Sequence, residues 1–412
     1  MNKIEKSFFL MHINIFMRSK RAVINALDFA AGNGFADDTS ALQQALAGGN
    51  KTLLIPDGAY IISTAIRVFS NTRIVAAPNA VIRLAAGAGK KLEDWLICNA
   101  NPGKGNSNIE IEGGVWDANC RTNPRGDEHA PGAFSGVAVN FTNVHDLTLK
   151  NMTVCNPDSF FIRLGDVDDF RVENIKLFNL FTRINQDGVH LGGGCRRGLI
   201  KKIHAISPFT PNDDMVALNA DDDVTRHFNR GMRCGPIEDI VIEDLYADSA
   251  YTFIRMLSQD NPIKNIKASN LRGGVRVNLL NLNRWRFPRG KGAISNVTVR
   301  NVAIRKMPAH NTFPESIETL ALCDIGLKVE NFVIENFVRL PSDCARAPTF
   351  SIDNDCRNNL KLNGITTSQF NQLRETMPAG SWKDIKGGIA AAKIDKISLA
   401  AGGFKYLGLN CR

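Results

Sequence analysis

The 412-residue chain has no pair of cysteines spaced as Cys-X-X-Cys, although it contains nine cysteines. This absence argues against zinc ribbons and thioredoxin-like redox motifs, which need two sulfur atoms at that spacing. The odd number leaves at least one thiol outside any disulfide. We expect single thiols buried in the core, with a Cys344–Cys356 bridge as the alternative if the compartment is oxidising.

Tyrosine and tryptophan are also scarce, with four of each. No stretch combines aromatic and basic residues as nucleic-acid-binding motifs do, so nucleic acid is not expected as a partner. The chain nevertheless carries 50 Lys and Arg against 41 Asp and Glu, a formal net charge of +9. This excess favours a polyanionic partner such as a uronate polymer or a capsule.

An apolar run of transmembrane length is missing, so we expect no membrane partner. Lys3 and Lys6 precede the apolar run 8–17, as in a signal peptide, but basic residues at 18–21 stand where a small-residue cleavage site would be. Residues 1–21 are therefore interpreted as a signal-like or disordered segment. The protein is expected to be secreted or periplasmic.

A short unit of apolar, polar or charged, polar and apolar residues recurs along the chain. Its seven copies are Leu149–Met152, Val172–Ile175, Ile200–Ile203, Ile242–Leu245, Ala268–Leu271, Val299–Val302 and Ile334–Phe337. Their third positions are 23 to 42 residues apart, a spacing too irregular for helical repeats but typical of coils that carry variable loops. Flanking alternation and β-branched residues predict a short strand at each unit. Asn dominates the third position, where it tolerates left-handed turns and can hydrogen-bond its copies in adjacent coils.

These repeats predict an all-β protein, a single-stranded right-handed parallel β-helix that forms one domain over residues 22–365. Residues 366–412 are expected to form a C-terminal capping segment, with a helix from Ser368 to Met377. Oligomeric state is not indicated by any pattern.

The N-terminal end of the predicted solenoid is preceded by a helix signal. A capping box from Ser40 to Gln43 opens an apolar stripe of Leu42, Ala45 and Leu46, and the pattern stops at Gly48-Gly49. Because a solenoid needs its open hydrophobic end covered, we expect this helix to be an N-terminal cap.

Three carboxylates lie in two segments 26 positions apart. Asp187 belongs to Asn185-Gln186-Asp187-Gly188, and Asp213 and Asp214 follow Asn212. Either segment alone is also typical of a turn or a solvated loop, so the prediction depends on their matching places in successive coils. Cleavage of a glycosidic bond needs an acid for the leaving oxygen and a carboxylate to activate water, and close carboxylates can hold different protonation states. We therefore predict a sugar-chain hydrolase, with an acid-to-base separation of roughly 6.5 to 9.5 Å.

In the order of these motifs, the chain resembles the polygalacturonases of glycoside hydrolase family 28. The matching segments are Asp37–Thr39, Gly113–Asp117, Asn185–Gly188, Asn212–Leu218 and Phe253–Met256. The resemblance covers roughly residues 22–365 and is most specific over 156–257. It implies a right-handed β-helix and inverting hydrolysis without a cofactor or metal. It also implies that Asp213 is the general acid, that Asp187 and Asp214 activate water, and that Arg255 binds substrate.

Two departures from the family pattern bear on the substrate. The Gly-His-Gly coil expected after the aspartate pair has no match, and Leu257 replaces the basic residue expected two places after Arg255. These departures favour an acidic or pectin-like polysaccharide over unbranched polygalacturonate, with a mixed-sugar backbone whose apolar face contacts Leu257.

Three further residues are candidate substrate contacts. Asn185 belongs to the first aspartate segment, and His190 shares the strand face of Gly188. His227 either replaces the missing histidine or is a loop residue without a role. The run Asp221–Asp223 is either a solvated loop or an oxygen-rich calcium site.

Two alternatives from other classes remain. In a polysaccharide lyase, Asp213, Asp214 and Asp221–Asp223 would bind calcium and Arg255 would abstract a proton. In a phage tail-fibre-like protein, the solenoid would grip a bacterial surface glycan, with or without cleaving it. Products separate these functions, since a lyase leaves an unsaturated sugar and a hydrolase leaves only a new reducing end.

Overall fold

The computed structural model describes residues 21–127, 130, 132–226, 229–288, 290–310, 314–342, 344, 347–353 and 360–367. Strands dominate, as predicted: β1 (Ala22–Asn25), β2 (Asn33–Asp37), β3 (Lys51–Ile55), β4 (Gly58–Ile62), β5 (Ile66–Val68), β6 (Thr72–Leu84), β7 (Ile97–Asn99), β8 (Asn106–Asp117), β9 (Val139–Lys150), β10 (Thr153–Cys155), β11 (Ile162–Phe178), β12 (Val189–Leu191), β13 (Arg196–Ala205), β14 (Asp214–Asn219), β15 (Ile237–Leu257), β16 (Ile263–Leu282), β17 (Ile294–Lys306), β18 (Cys323–Ile325), β19 (Val329–Leu340), β20 (Phe350–Ile352) and β21 (Leu360–Thr367). Within these residues lie one α-helix, α1 (Thr39–Leu46), and 3-10 helices at Ala26–Asp28 and Glu315–Thr319.

Successive coils pair in parallel. One stack runs from β9 through β11, β13, β15, β16, β17 and β19 to β21. A second stack runs from β5 through β7, β9, β11, β12, β14, β15, β16 and β18 to β20. Long strands contribute to both stacks, as expected when each coil turns a corner. The arrangement is that of a parallel β-helix, in which neighbouring coils lie about 4.8 Å apart.

The predicted left-handed turns are confirmed at the third position of all seven repeat units, where φ lies between 52° and 60°. The predicted stacking is also confirmed: Asn174 donates to Asn151 at 2.8 Å, while Asn336 donates to Asn301 and Asn301 donates to Asn270, both at 3.2 Å. We call Asn270, Asn301 and Asn336 the asparagine ladder. Each amide is both donor and acceptor, so one residue type satisfies its own copies.

The core lies inside the coils and fixes which side chains face outward. Val189, Val216 and Ile254 occupy equivalent positions of β12, β14 and β15 and are fully buried. Because side chains alternate along a strand, the next residue of each strand lies on the outer face. Register places Arg163, His190, Ala217, Arg255 and Asn281 in one such outer row, which we call the outward row.

Helix α1 buries Leu42, Ala45 and Leu46, which confirms the predicted apolar stripe. The capping box was wrong, because the helix begins at Thr39 with Asp38 as its N-cap. Gln43 instead forms two hydrogen bonds with the backbone of Arg67 on β5, at 3.0 and 2.9 Å. This pairing ties the helix to the end of the solenoid.

The expectations for the cysteines and for the C-terminal segment can be compared with the structure only in part, because some of these residues are not described. Cys98, Cys195 and Cys323 are buried in the coils, as expected for core thiols. Cys356 lies outside the described residues, so the Cys344–Cys356 bridge stays a prediction. The helix predicted for 368–377 lies outside them as well, and the domain boundaries stay predictions. None of the helices in the described part of the chain has the length and apolar character that membrane crossing requires.

Candidate active site

The structure brings the three predicted carboxylates together. Asp187 lies in the turn before β12, Asp214 begins β14 and Asp213 precedes it. One oxygen of each lies within 4.8 Å of the others. The backbone N–H of Gly188 donates to the carbonyl of Asp214 at 2.8 Å, which fixes the two segments side by side. We call Asp187, Asp213 and Asp214 the aspartate cluster.

The spacing within the aspartate cluster is shorter than expected. The oxygens approach within 4.8 Å, whereas the expected separation was roughly 6.5 to 9.5 Å. Adjacent coils are only about 4.8 Å apart, so carboxylates at matching points meet closely. Retaining glycosidases generally hold their two catalytic carboxyl groups about 5 Å apart. Carboxylate spacing therefore gives no support for an inverting outcome.

The cluster raises the pKa of two of its members. Desolvation of the Asp213 carboxyl and the nearby charge of Asp187 raise its pKa to about 7, although Arg255 opposes the shift. Burial and the charge of Asp213 raise the pKa of Asp214 well above its usual range. Asp213 keeps partial exposure, whereas Asp214 is 2% exposed. Asp213 is thus the cluster member that both holds a proton near neutral pH and reaches the surface.

His190 is a buried bridge, not an open cleft contact. It is 2% exposed, its Nδ1 lies 2.6 Å from Asp187 and its Nε2 lies 3.2 Å from Asp222. Phe160 stacks on the ring at 4.3 Å. Burial alone would lower the pKa of His190, but the two carboxylates raise it to about 9. The charged imidazolium therefore links Asp187 to Asp222, and direct substrate contact by His190 was the wrong expectation.

Asp222 joins the site through His190, whereas the sequence predicted it only as part of a solvated loop or a calcium site at Asp221–Asp223. It is 9% exposed, and Arg286 lies 3.4 Å from its second oxygen. Burial opposes ionisation, but the pairing with His190 and the charge of Arg286 hold the pKa of Asp222 well below its usual range. The sequence signal for Asp222 was a run of three acidic residues shortly after the strand that ends at Asn219, which solvated loops share.

The run Asp221–Asp223 behaves neither as one solvated loop nor as one cation site. Asp221 accepts three backbone N–H groups from 259–261, at 2.6 to 2.9 Å. Asp223 accepts the backbone N–H of Thr225 at 2.9 Å. The three neighbours thus have separate partners, because the chain turns sharply after β14.

Asn185 and Arg255 both border the aspartate cluster. The amide of Asn185 donates to Asp213 at 3.3 Å and accepts from Arg125 at 3.0 Å. Nε of Arg255 lies 4.0 Å from Asp214, and its side chain is 17% exposed. Both residues therefore lie where substrate contacts were predicted.

The two other predicted contacts are His227 and Leu257. His227 lies outside the described residues. Leu257 is 1% exposed, so a sugar face cannot contact it as expected. Alternation places Leu257 on the same strand face as Arg255. The turn after β14 lies against Leu257, since the backbone N–H groups of Ala220 and Asp221 donate to its carbonyl at 2.9 and 3.2 Å.

Arg276 is a site residue that the sequence analysis missed. It is fully buried, donates to the Asn212 side chain at 2.7 Å and to the Ser249 carbonyl at 3.1 Å. Its guanidinium lies over the rings of Phe209 and Tyr251, at 5.6 and 5.9 Å. It therefore holds the loop that carries the aspartate pair. A single Arg within the apolar segment 275–282 was the signal that could have found it.

Comparison with known proteins places the fold. The structure superimposes on the family 28 exopolygalacturonase of Yersinia enterocolitica with a TM-score of 0.57 and 16% identity, over 84% of this chain and 71% of that one. It superimposes on the N-terminal fragment of bacteriophage phi29 gene product 12 with a TM-score of 0.52 and 14% identity, over 87% and 68% of the two chains. At these identities the likeness shows the fold alone.

Sequence comparison adds a phage protein and a family. Over 94 residues the chain is 36% identical to the pre-neck appendage protein of Bacillus phage B103, a match that covers 22% of this chain but 11% of that protein. The family described as rhamnogalacturonase A/epimerase, pectate lyase-like, matches residues 23–285. Since this match spans well over half of the sequence, the chain belongs to the rhamnogalacturonase A/epimerase, pectate lyase-like family.

Proposed function

We propose that this chain is a glycoside hydrolase that cleaves an acidic or pectin-like polysaccharide, as a divergent relative of the polygalacturonases of glycoside hydrolase family 28. The observation that carries the proposal is the aspartate cluster itself. Three carboxylates meet within 4.8 Å, one of them has its pKa raised to about 7, and a guanidinium lies beside them. Paired carboxyl groups in different protonation states are what glycosidic cleavage requires.

In the proposed reaction, Asp213 donates its proton to the glycosidic oxygen as the bond to the anomeric carbon breaks. Water attacks that carbon in a single, inverting displacement, and Asp187 accepts the proton that the water loses. This course follows the resemblance to glycoside hydrolase family 28 and not the spacing of the carboxylates. Burial keeps Asp214 protonated more readily than an ordinary carboxyl, so Asp214 suits a shared-proton role better than the role of base. Asp187 is therefore the proposed base, whereas the family resemblance implied that Asp187 and Asp214 activate water together.

The surrounding residues hold this arrangement. His190 donates to Asp187 and is itself paired with Asp222, so the oxygen of Asp187 that accepts this bond is fixed in place. Arg255 keeps 17% of its side chain exposed and carries a planar fork that suits a uronate carboxylate. An acidic polysaccharide of this kind lies outside the cell, so we propose a secreted or periplasmic location.

The lyase alternative has less support. Its calcium site would need Asp221 and Asp223 beside the aspartate pair, but Asp221 accepts backbone N–H groups from 259–261 and Asp223 accepts that of Thr225 in its own loop. The guanidinium of Arg255 also lies 4.0 Å from Asp214, and its positive charge disfavours a cation beside that carboxylate. None of the proposed reaction steps uses a metal.

The phage alternative has a specific observation in its favour, the match to the pre-neck appendage protein of phage B103. In that case the same cleft would act on, or grip, a glycan of the bacterial surface. The two functions differ in substrate source, and a cleaving appendage would share the carboxylate chemistry.

A polysaccharide panel tests the proposal. Purified protein is incubated with polygalacturonate, rhamnogalacturonan and bacterial surface glycans, with and without a chelator, and reducing ends and ultraviolet absorbance are followed. We expect new reducing ends without unsaturated products, unchanged by the chelator. Asp223→Asn is the matched control, because Asp223 bonds only within its own loop among the contacts described. Unsaturated products would favour the lyase, and binding without cleavage would favour an adhesin. Proton NMR of the first product shows whether the anomeric configuration inverts.

A further inference from the structure

The loop that follows β16 exposes an aromatic ring beside the candidate active site. Trp285 is 83% exposed, whereas the other described tryptophans, Trp95 and Trp116, are 7% and 1% exposed. A single exposed apolar side chain is common on protein surfaces and indicates little by itself. The way in which this loop is anchored makes Trp285 different.

Ion pairs hold the loop on both sides of Trp285. Arg284 pairs with Asp353 at 2.5 Å, and Arg286 pairs with Asp222 at 3.4 Å. Inside the loop, the backbone N–H of Phe287 donates to the carbonyl of Arg284 at 3.1 Å, and Phe287 packs against the core. The exposed ring is thus carried by a fixed backbone, which reduces the conformational entropy that binding would cost.

The anchors also place the loop near the aspartate cluster. Strand β16 contributes Asn281 to the outward row, and the loop begins directly after Leu282. Arg286 reaches Asp222, which pairs with His190 of the same row. The loop is therefore linked to the aspartate cluster through Arg286, Asp222 and His190, on the side of the C-terminal coils.

We propose that residues 283–288 form a binding subsite for an acidic sugar unit of the substrate, away from the bond that is cleaved. The ring face of Trp285 would pack against the apolar C–H face of the sugar. The guanidinium groups of Arg284 and Arg286, 40% and 43% exposed, would hydrogen-bond its carboxylate. This subsite rests on the proposed function for its substrate class, but its affinity can be measured without catalysis.

The test measures polygalacturonate binding by calorimetry in an Asp213→Asn background, where cleavage is expected to be slow. Trp285→Ala should raise Kd by about 3- to 10-fold, while Trp285→Phe should restore most of the affinity because a ring face remains. The matched control is Phe35→Ala on β2, since Phe35 is 92% exposed at the N-terminal end of the solenoid. Unchanged affinity in Trp285→Ala, or an equal loss in Phe35→Ala, would overturn the subsite.

Carboxyl-reduced polymer separates the ring from the charges. Trp285→Ala should weaken binding to both polymers by similar factors. Arg284→Gln should weaken binding to the acidic polymer more than to the reduced one, because it removes a carboxylate contact as well as one anchor of the loop. Failure of the parent protein to bind both polygalacturonate and rhamnogalacturonan would overturn the acidic-sugar assignment. If Asp213→Asn retained full activity, the proposed mechanism would fail, yet the Kd comparison at Trp285 would still stand or fall independently.

Discussion

The asparagine ladder and the aspartate cluster use the same device with opposite consequences. In both, side chains at matching points of stacked coils meet, because the parallel register brings them together. In the ladder, Asn336 donates to Asn301 and Asn301 donates to Asn270, so every added coil satisfies the previous one. In the cluster, the residues in contact are carboxylates, which can only accept hydrogen bonds when ionised.

The ladder therefore stabilises the fold, whereas the cluster lowers its stability. Ladder amides are neutral and at least partly exposed, and their turns lie in the left-handed region that Asn tolerates. Cluster carboxylates are crowded and poorly solvated, so one of them keeps a proton near neutral pH. Strained polar groups of this kind are typical of functional sites and not of structural repeats.

The largest expected effect comes from removing the acid of the cluster. Asp213→Asn should lower kcat by about 100- to 10,000-fold, because the amide cannot donate a proton to the leaving oxygen. Reducing-end assays on the best substrate of the panel measure the loss. Full activity in this variant would reassign the proton donor.

The same substitution should make the protein more stable, which distinguishes the cluster from the ladder. A carboxyl whose pKa is about 7 in the folded protein and near 3.8 in the unfolded chain takes up a proton on folding. Its contribution to stability is therefore present at low pH and is lost as pH rises from about 4 through about 7. Asp213→Asn should raise Tm by about 2–4 °C at pH 8 and by less at pH 5. A lower Tm at pH 8 would contradict the account of crowded charges.

The next effect tests whether the cluster depends on Arg276 for its position. Arg276→Lys keeps the charge but loses the fork that holds Asn212 and the Ser249 carbonyl, so kcat should fall about 10- to 100-fold with a smaller change in KM. Arg339→Lys is the matched control, since Arg339 is buried and bonds the Ala347 carbonyl at 2.7 Å. Comparable losses of kcat in the two variants would show that Arg276 acts only through overall stability.

A smaller effect is expected from breaking the asparagine ladder. Asn301→Ala should lower the free energy of unfolding by about 1–2 kcal/mol, because alanine disfavours a φ of 57° and cannot bond to Asn270 or Asn336. Asn301→Gly separates the two causes, since glycine accepts the dihedral angle but removes the hydrogen bonds. Chemical denaturation measures both variants, and kcat should stay unchanged. A loss of kcat without a loss of stability would show that the ladder serves activity and not the stability of the fold.

Sequence reasoning predicted the ladder and the convergence of the cluster for the same reason, that a repeat fixes which positions meet. Asn270, Asn301 and Asp187 could be placed because each belongs to a coil with a recognisable register. Asp222 and Arg276 could not, because their contacts depend on how irregular loops fold back over the coils. The predicted separation of the carboxylates was also too long, since a chemical expectation cannot override the distance between stacked strands.

The smallest expected effect shows whether Arg255 stabilises the aspartate cluster or binds substrate. Its Nε lies 4.0 Å from Asp214, so it either stabilises the cluster or binds a substrate carboxylate through its exposed part. If it binds substrate, Arg255→Lys should raise KM on polygalacturonate about 3- to 10-fold and leave KM on the carboxyl-reduced polymer unchanged, because only the acidic polymer uses the fork.

The pH profile gives a second readout for Arg255. Its charge opposes the rise in the pKa of Asp213, so Arg255→Gln should push that pKa higher still. The alkaline limb of kcat, where Asp213 loses its proton, should then move to higher pH, whereas Arg255→Lys should leave the limb nearly in place. If Arg255→Lys raised KM equally on both polymers and also moved the alkaline limb of kcat, Arg255 would belong to the cluster. A loss confined to the acidic polymer with an unmoved limb in Arg255→Lys would assign it to the substrate, because a lysine at this position still carries the charge that Asp213 senses.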